Sequence, residues 1–238
     1  MLVAGYLFFK HVDQERATRN RQPVTVSFFH MSCPILKANP QGIKKVARII
    51  LQGGVVAFPT ETFYGLAADA WNEAAVKKVF QIKGREEGKP ILLLVVDRSW
   101  LSGLVQEVNP LAERLMEKFW PGPLTLVFEA SPHLSPLLTA NTGEIGLRIS
   151  SHPVAQALVR HVGKAITGTS ANLSGQPSAS FAHEVFRALG TKVDAILDGG
   201  KTTGGLGSTV LDVSSAVPKI LRQGTVSWAE LAPFIEEK

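Results

Sequence analysis

The chain has 238 residues, 45% of them hydrophobic and 19% charged, enough for one globular domain that buries about 70% of its unfolded surface without a metal or disulfide. Its single cysteine, Cys33, excludes an internal disulfide and suits a reducing compartment. A formal net charge of +5 is mild: it permits an anionic ligand such as a nucleotide or RNA and does not demand one.

The opening Met1–Phe9 run is apolar. It falls short of the roughly 20 residues of a membrane span and lacks the basic flank and cleavage site of a signal peptide. No later stretch is long enough to span. The expectation is a cytoplasmic protein with no membrane partner. Residues 1–38 are read as an N-terminal extension of doubtful order, with 1–30 a candidate start-site artefact ahead of Met31, and 39–238 as the folded domain.

Asn39-Pro40 opens the first predicted helix as an N-cap followed by proline, and Ile43, Val46, Ala47 and Ile50 follow at helical spacing. Gly53-Gly54 ends it, and Val55–Phe58 reads as a short buried strand. Asn72 caps a second helix that carries Val76, Val79 and Phe80 on one face and runs out into Lys83. Ile91–Val96 is a continuous apolar run, the pattern of a strand covered on both faces. Asn109-Pro110 repeats the cap-and-proline signal for a helix that stops near Trp120-Pro121-Gly122. Strands are predicted near 124–129 and 144–149, a helix near 153–161, and a short strand at 165–168 leading into a loop at Ser170. A helix near 181–189 precedes strands near 193–198, 208–213 and 219–222. The last helix opens with Ser227-x-x-Glu230, a capping box, with Val226 and Leu231 placed as a hydrophobic staple. Consecutive strands near 124–149 and 193–222 lack intervening helices, so the expected fold is a single α/β domain with a mixed sheet.

Several motifs carry less than they promise. Gly200-Lys201-Thr202 follows a strand, but a P-loop needs glycine where Ala195 stands, and Gly204, Gly205 and Gly207 break any following helix. The six histidines show no metal-ligand spacing, and Ser170 lacks the Gly-x-Ser-x-Gly elbow of a nucleophile. Taken alone, Thr60-Glu61-Thr62 is a turn with side-chain caps, and Lys83 and Arg85 are cations at a helix C-terminus. Together they say more. Lys83-Gly84-Arg85 brings two cations, and Ser170-Ala171-Asn172 a hydroxyl and an amide, each just past a predicted element. Such groups at loop ends suit phosphate oxygens. That combination points to an ATP-using enzyme without a P-loop.

Pro59-Thr60-Glu61-Thr62-x-Tyr64-Gly65-Leu66, Ile82-Lys83-Gly84-Arg85, Lys89-Pro90, Trp120-Pro121-Gly122-Pro123-Leu124-Thr125, Ser170-Ala171-Asn172, Asp198-Gly199-Gly200, Ser208-Thr209-Val210 and Leu221-Arg222-x-Gly224 occur in that order. The series resembles the YrdC-like family of L-threonylcarbamoyladenylate synthases, in its short single-domain form, over about residues 40–236. The resemblance implies a twisted, mixed open sheet with flanking helices and a concave basic site. It also implies a nucleotidyl transfer in which L-threonine, bicarbonate and ATP give threonylcarbamoyl-AMP and pyrophosphate. A threonylcarbamoyl transferase that modifies tRNA would take the product, with tRNA or double-stranded RNA as a further partner. By family position Thr60, Arg148 and Ser208 would hold threonine, and Lys83, Arg85, Lys89, Ser170, Asn172, Ser178 and Arg222 would hold ATP. Lys83 and Arg85 are the expected catalytic residues, Lys83 acting on charge that develops at the α-phosphate. Mg²⁺ would ride on the phosphates with few protein ligands.

Two departures bear on selectivity. Leu94 stands where many members carry histidine and Gly207 where many carry glutamate; both bear on threonine affinity or selectivity, and Leu94 is expected to relax discrimination at that site without abolishing it. The alternatives of the same fold are a paralogue without synthase activity, a non-enzymatic RNA-binding module and a carbamoyl-transfer module. The first tends to lose the Lys-x-Arg and Ser-x-Asn pairs, both intact here. The second leaves Thr60, Arg148 and Ser208 unexplained, and the third sits in a longer chain with zinc-finger motifs.

Overall fold

The computed structural model describes residues 33–84 and 90–235. The expectations for residues 1–30 and for Arg85 and Lys89 therefore lie outside the described residues. The first half holds β1 (Ile35–Lys37), α1 (Pro40–Leu51), β2 (Val56–Pro59), β3 (Tyr64–Ala67), α2 (Glu73–Lys83), β4 (Leu93–Leu94) and α3 (Pro110–Phe119). There follow β5 (Leu124–Glu129), α4 (Pro136–Thr139), β6 (Glu144–Arg148), α5 (Pro153–Val162), β7 (Ile166–Thr167) and β8 (Thr169–Ser170). The chain closes with α6 (Ala182–Leu189), β9 (Ala195–Asp198), β10 (Thr209–Asp212), β11 (Lys219–Arg222) and α7 (Trp228–Ile235).

The helices start where their caps announce them. The side chains of Asn39, Asn72 and Asn109 accept from the backbone N–H three residues on, at 2.8, 3.1 and 2.8 Å, satisfying a donor that the first turn leaves open. The α7 box is also present: Ser227 N–H donates to the Glu230 carboxylate at 2.8 Å and Glu230 N–H to the Ser227 hydroxyl at 3.3 Å.

The mixed sheet is divided in two. One sheet runs β1-β9-β2-β3-β8 and the other β11-β10-β5-β6-β4-β7. Each mixes parallel pairs (β1 with β9, β10 with β5) and antiparallel ones (β2 with β3, β5 with β6). They meet where β7 of the second passes through Gly168 into β8 of the first. A Cβ on Gly168 would stand 2.9 Å from Leu94 Cγ, so the crossing needs glycine. Both faces of β2 are covered. Val55 and Ala57 join the larger apolar cluster, while Val56 and Phe58 pack in a second one with Ile43, Val46 and Ile50 of α1 and Leu158 of α5. That is why the strand reads as an unbroken apolar run.

Several strand boundaries differ from the sequence reading. The folded unit begins before Asn39, because Ile35–Lys37 pairs with β9 as an edge strand; three residues with two exposed leave no pattern to read. Tyr64–Ala67, to which the sequence reading gave no element, is the strand β3, buried on both faces. Ser170 lies in β8 and not in a loop. The long strand expected over 91–96 pairs only at Leu93 and Leu94. Among the described residues, no helix is long and apolar enough to cross a membrane.

Candidate active site

A cavity of about 800 Å³ opens where the two sheets meet, lined by Tyr64, Gly65, Thr169 and Ser170 from one and by β5, β6, β10 and β11 from the other. This is within the usual range for a ligand pocket. On β6 the lining residues are Glu144, Gly146 and Arg148, and on β5 Thr125 and Val127. Their period of two identifies the strand face turned to the cavity.

At the deep end of that face Arg148 is 3% exposed. Its Nε lies 3.6 Å from Oε1 of Glu61, and neither atom has a hydrogen bond. The other Glu61 oxygen accepts from the Ser150 hydroxyl, and Ser150 Oγ accepts from His152 N–H at 3.2 Å. Burial pushes the Arg148 guanidinium down; Glu61 opposes that shift and Arg222 adds to it. The two terminal nitrogens of Arg148 make no hydrogen bond among the described residues, and the residue lines the cavity. They are donors left for a ligand. Beside them Thr125 Oγ1 and Ser208 Oγ are 2.9 Å apart. Arg222 donates through one terminal nitrogen to the Ser208 carbonyl at 2.9 Å and hydroxyl at 3.0 Å. Gly224 makes this packing possible: a Cβ there would fall 2.4 Å from the Ser208 carbonyl carbon.

The other end is built on α2 and β8. Gly84 ends α2 in the left-handed conformation, at φ +56°, where a side chain would be strained. Lys83, just before it, is buried, and its ammonium donates to the carbonyls of Ser170 (2.6 Å) and Asn172 (3.0 Å) and to Asn172 Oδ1 (3.1 Å). Ser170 Oγ donates to the same Asn172 oxygen at 2.6 Å, and Asn172 Nδ2 to the Gln176 carbonyl. Between the two ends, Thr60 Oγ1 donates to the Phe63 carbonyl at 2.7 Å and closes the turn that carries Glu61. Tyr64 donates its hydroxyl to the Gly200 carbonyl at 2.8 Å. Burial, with the Asp198 charge adding, pushes that phenol up to about 12, so it stays a donor.

Comparison with known proteins places this geometry. The family profile described as "Telomere recombination", Sua5/YciO/YrdC, matches residues 48–224. The chain belongs to that family. It is 40% identical over 201 residues to the threonylcarbamoyl-AMP synthase of Bacillus subtilis, covering 84% of this chain and 58% of that protein. It is 38% identical over 195 residues to the threonylcarbamoyl-AMP synthase of Pyrococcus abyssi, covering 82% and 57%. The chain thus spans under three fifths of the length of these two relatives. The crystal structure of P. abyssi Sua5 complexed with L-threonine superposes with a TM-score of 0.82 at 36% identity, over 86% of this chain and 61% of that one.

Of the positions carried over from the Sua5/YciO/YrdC resemblance, Thr60, Lys83, Arg148, Ser170, Asn172, Ser178, Ser208 and Arg222 line the one cavity. Gly207 lines it as well. A Cβ at Gly207 would sit 3.6 Å from an Arg222 terminal nitrogen, so a longer acidic side chain there would reach that cation. Leu94 corrects the expectation made for it. It is wholly buried in the second apolar cluster, where it packs against the Gly168 crossing, and is not among the lining residues. Sequence reasoning gave no role to Glu61, Thr125, Glu144 or Ser150. The first two stand inside quoted motifs, but nothing local signals their partners Arg148, Ser150 and Ser208, which lie far along the chain.

Proposed function

We propose that this chain is an L-threonylcarbamoyladenylate synthase, joining L-threonine, bicarbonate and ATP into threonylcarbamoyl-AMP and pyrophosphate. The observation that carries the reading is the Arg148 guanidinium, buried yet with two terminal nitrogens unpartnered in a cavity shared with the Lys83–Ser170–Asn172 network. A planar fork of charged donors matches a carboxylate, and the polar turn at the other end suits phosphates. The relatives named as threonylcarbamoyl-AMP synthases and the L-threonine complex of P. abyssi Sua5 support the same reading.

Two anions must be brought together. The threonine amine and bicarbonate combine to a carbamate with loss of water. A carbamate oxygen then attacks the α-phosphate, and the bond to pyrophosphate breaks. Arg148 fixes the amino-acid carboxylate, with Thr125, Ser208 and Thr60 around it. Arg222, Lys83 and the Ser170–Asn172 turn lower the repulsion at the phosphates, with Arg85 and Lys89 expected to join them. Catalysis of this kind rests on positioning and on charge stabilisation in a site closed to water. Among the described residues, no three His, Cys, Asp or Glu side chains gather as around a metal ion. Magnesium, entering with the nucleotide, would supply charge neutralisation at the phosphates and needs few protein ligands. A tRNA-modifying threonylcarbamoyl transferase would consume the product.

The test is pyrophosphate release from ATP with threonine and bicarbonate, each omitted in turn. Release that needs all three supports the synthase. No release under any combination, with retained RNA binding, replaces it with a binding module.

A further inference from the structure

We infer that Glu61 is a positioning residue for the amino-acid end of the cavity: it holds Arg148 by its Nε edge and leaves the two terminal nitrogens as a fork for a ligand carboxylate. The inference rests on the reading of Arg148 as a carboxylate receptor and adds the group that makes it one.

Glu61 is not among the residues that line the cavity, so it acts through Arg148. Its side chain is 13% exposed and sits on the Thr60–Phe63 turn, closed by the Thr60 hydroxyl and by Thr60 N–H to the Phe63 carbonyl at 3.2 Å. One carboxylate oxygen is fastened by Ser150, itself 3% exposed. Ser150 is held in turn: its carbonyl accepts from Gln156 Nε2 at 3.0 Å and its hydroxyl from His152 N–H. The other oxygen faces Arg148 Nε at 3.6 Å, near enough to attract and too far to hydrogen-bond. Arg148 is thus held but not satisfied.

The edge used is the informative detail. A carboxylate that served only to neutralise a buried guanidinium would gain most from two parallel N–H donors. Glu61 instead meets Nε with one oxygen and spends the other on Ser150. The terminal nitrogens stay open. Burial and then Arg222 push the Arg148 guanidinium down, and Glu61 is the charge that opposes both.

The experiment is calorimetric binding of L-threonine and, separately, of ATP to the full chain and to Glu61→Gln, Ser150→Ala, Arg148→Lys and the Glu61→Gln/Arg148→Lys double variant, with melting temperatures beside them. Glu61→Gln is expected to weaken threonine at least tenfold while ATP changes less than about threefold. Ser150→Ala should weaken threonine in the same direction by roughly threefold to tenfold. In the Arg148→Lys background Glu61→Gln should add little, since residues that act as a unit are not additive. A Glu61→Gln protein that melts lower but binds threonine as the native chain does overturns the inference, as does a fully additive double variant. Should Glu61→Gln fail to fold, unchanged threonine binding in Ser150→Ala overturns it equally. Native protein that binds no threonine would instead sink the reading of Arg148 and of the function on which this inference rests.

Discussion

The two ends of the cavity handle buried charge in opposite ways. At the Lys83 end the donors are tied down: the ammonium donates to oxygens of Ser170 and Asn172, and Asn172 is held from both sides. At the Arg148 end the guanidinium is equally buried but keeps two nitrogens open and an ion pair short of hydrogen bonding. A closed network shapes a surface; an open one waits for a ligand. Leaving donors open underground costs free energy, and a carboxylate ligand would recover it.

Breaking the open end should have the largest effect. Arg148→Lys keeps a cation against Glu61 but loses the fork, and loss of a buried charged contact typically costs about 2–5 kcal/mol. Threonine binding is expected to fall about a hundredfold or more, with ATP affinity changed only a few-fold by calorimetry. Equal losses for both ligands would mean that the two ends do not act separately.

Lys83→Met tests the closed end. Hydrogen bonds to charged groups contribute about 1.5–3 kcal/mol each, and several go at once. ATP affinity should drop at least tenfold and the melting temperature should fall, while threonine binding stays near native. A variant that binds ATP normally and loses only kcat would show that the ammonium leaves the Ser170–Asn172 turn for the phosphates during reaction. That is the role expected from the sequence, and the ties seen here would then be secondary.

Gly224→Ala should act on stability through the Arg222–Ser208 packing. Its Cβ would meet the Gly207 carbonyl oxygen at 2.3 Å, and backbone cannot move aside cheaply. A loss of about 1–3 kcal/mol is expected from denaturant unfolding. No loss would mean that the loop gives way and that the close approach is not required.

The smallest effect is a pH dependence behind Arg148. His152 caps α5, accepting from Val154 N–H at Nδ1, which must carry no proton to do so. Burial pushes the imidazole below its ordinary 6.5, with Glu61 opposing. Above that pH both folded and unfolded forms are neutral and the group contributes nothing. Below it the unfolded chain takes the proton first, so stability falls as pH drops. His152→Asn keeps a capping oxygen and should remove this part of the fall in melting temperature between pH 7 and 5. A parallel fall in both proteins would place the effect elsewhere.

The helices were legible because their signals are local. Asn39-Pro40, Asn72 and Asn109-Pro110 each fix a start within one turn, and the apolar spacing after them shows which face is buried. The strands were less so. β1 and β3 are three and four residues long; β1 is a strand only through β9, far along the chain, and β3 pairs with neighbouring β2 on one side and distant β8 on the other. The candidate site was legible as a set of positions carried over from the family resemblance, eight of which gather on one cavity. The working relations within that set were not.

By itself the sequence determined the capped helix starts, the α/β class, the family and a set of polar positions of which eight line one cavity. Tertiary structure decided the division into two sheets at Gly168, the burial of Leu94 away from the cavity, and the pairing of Glu61 with Arg148. Caps and periodicities are short-range and written in neighbouring residues. A guanidinium's free edge depends on which distant groups the fold sets against it, and only packing settles that.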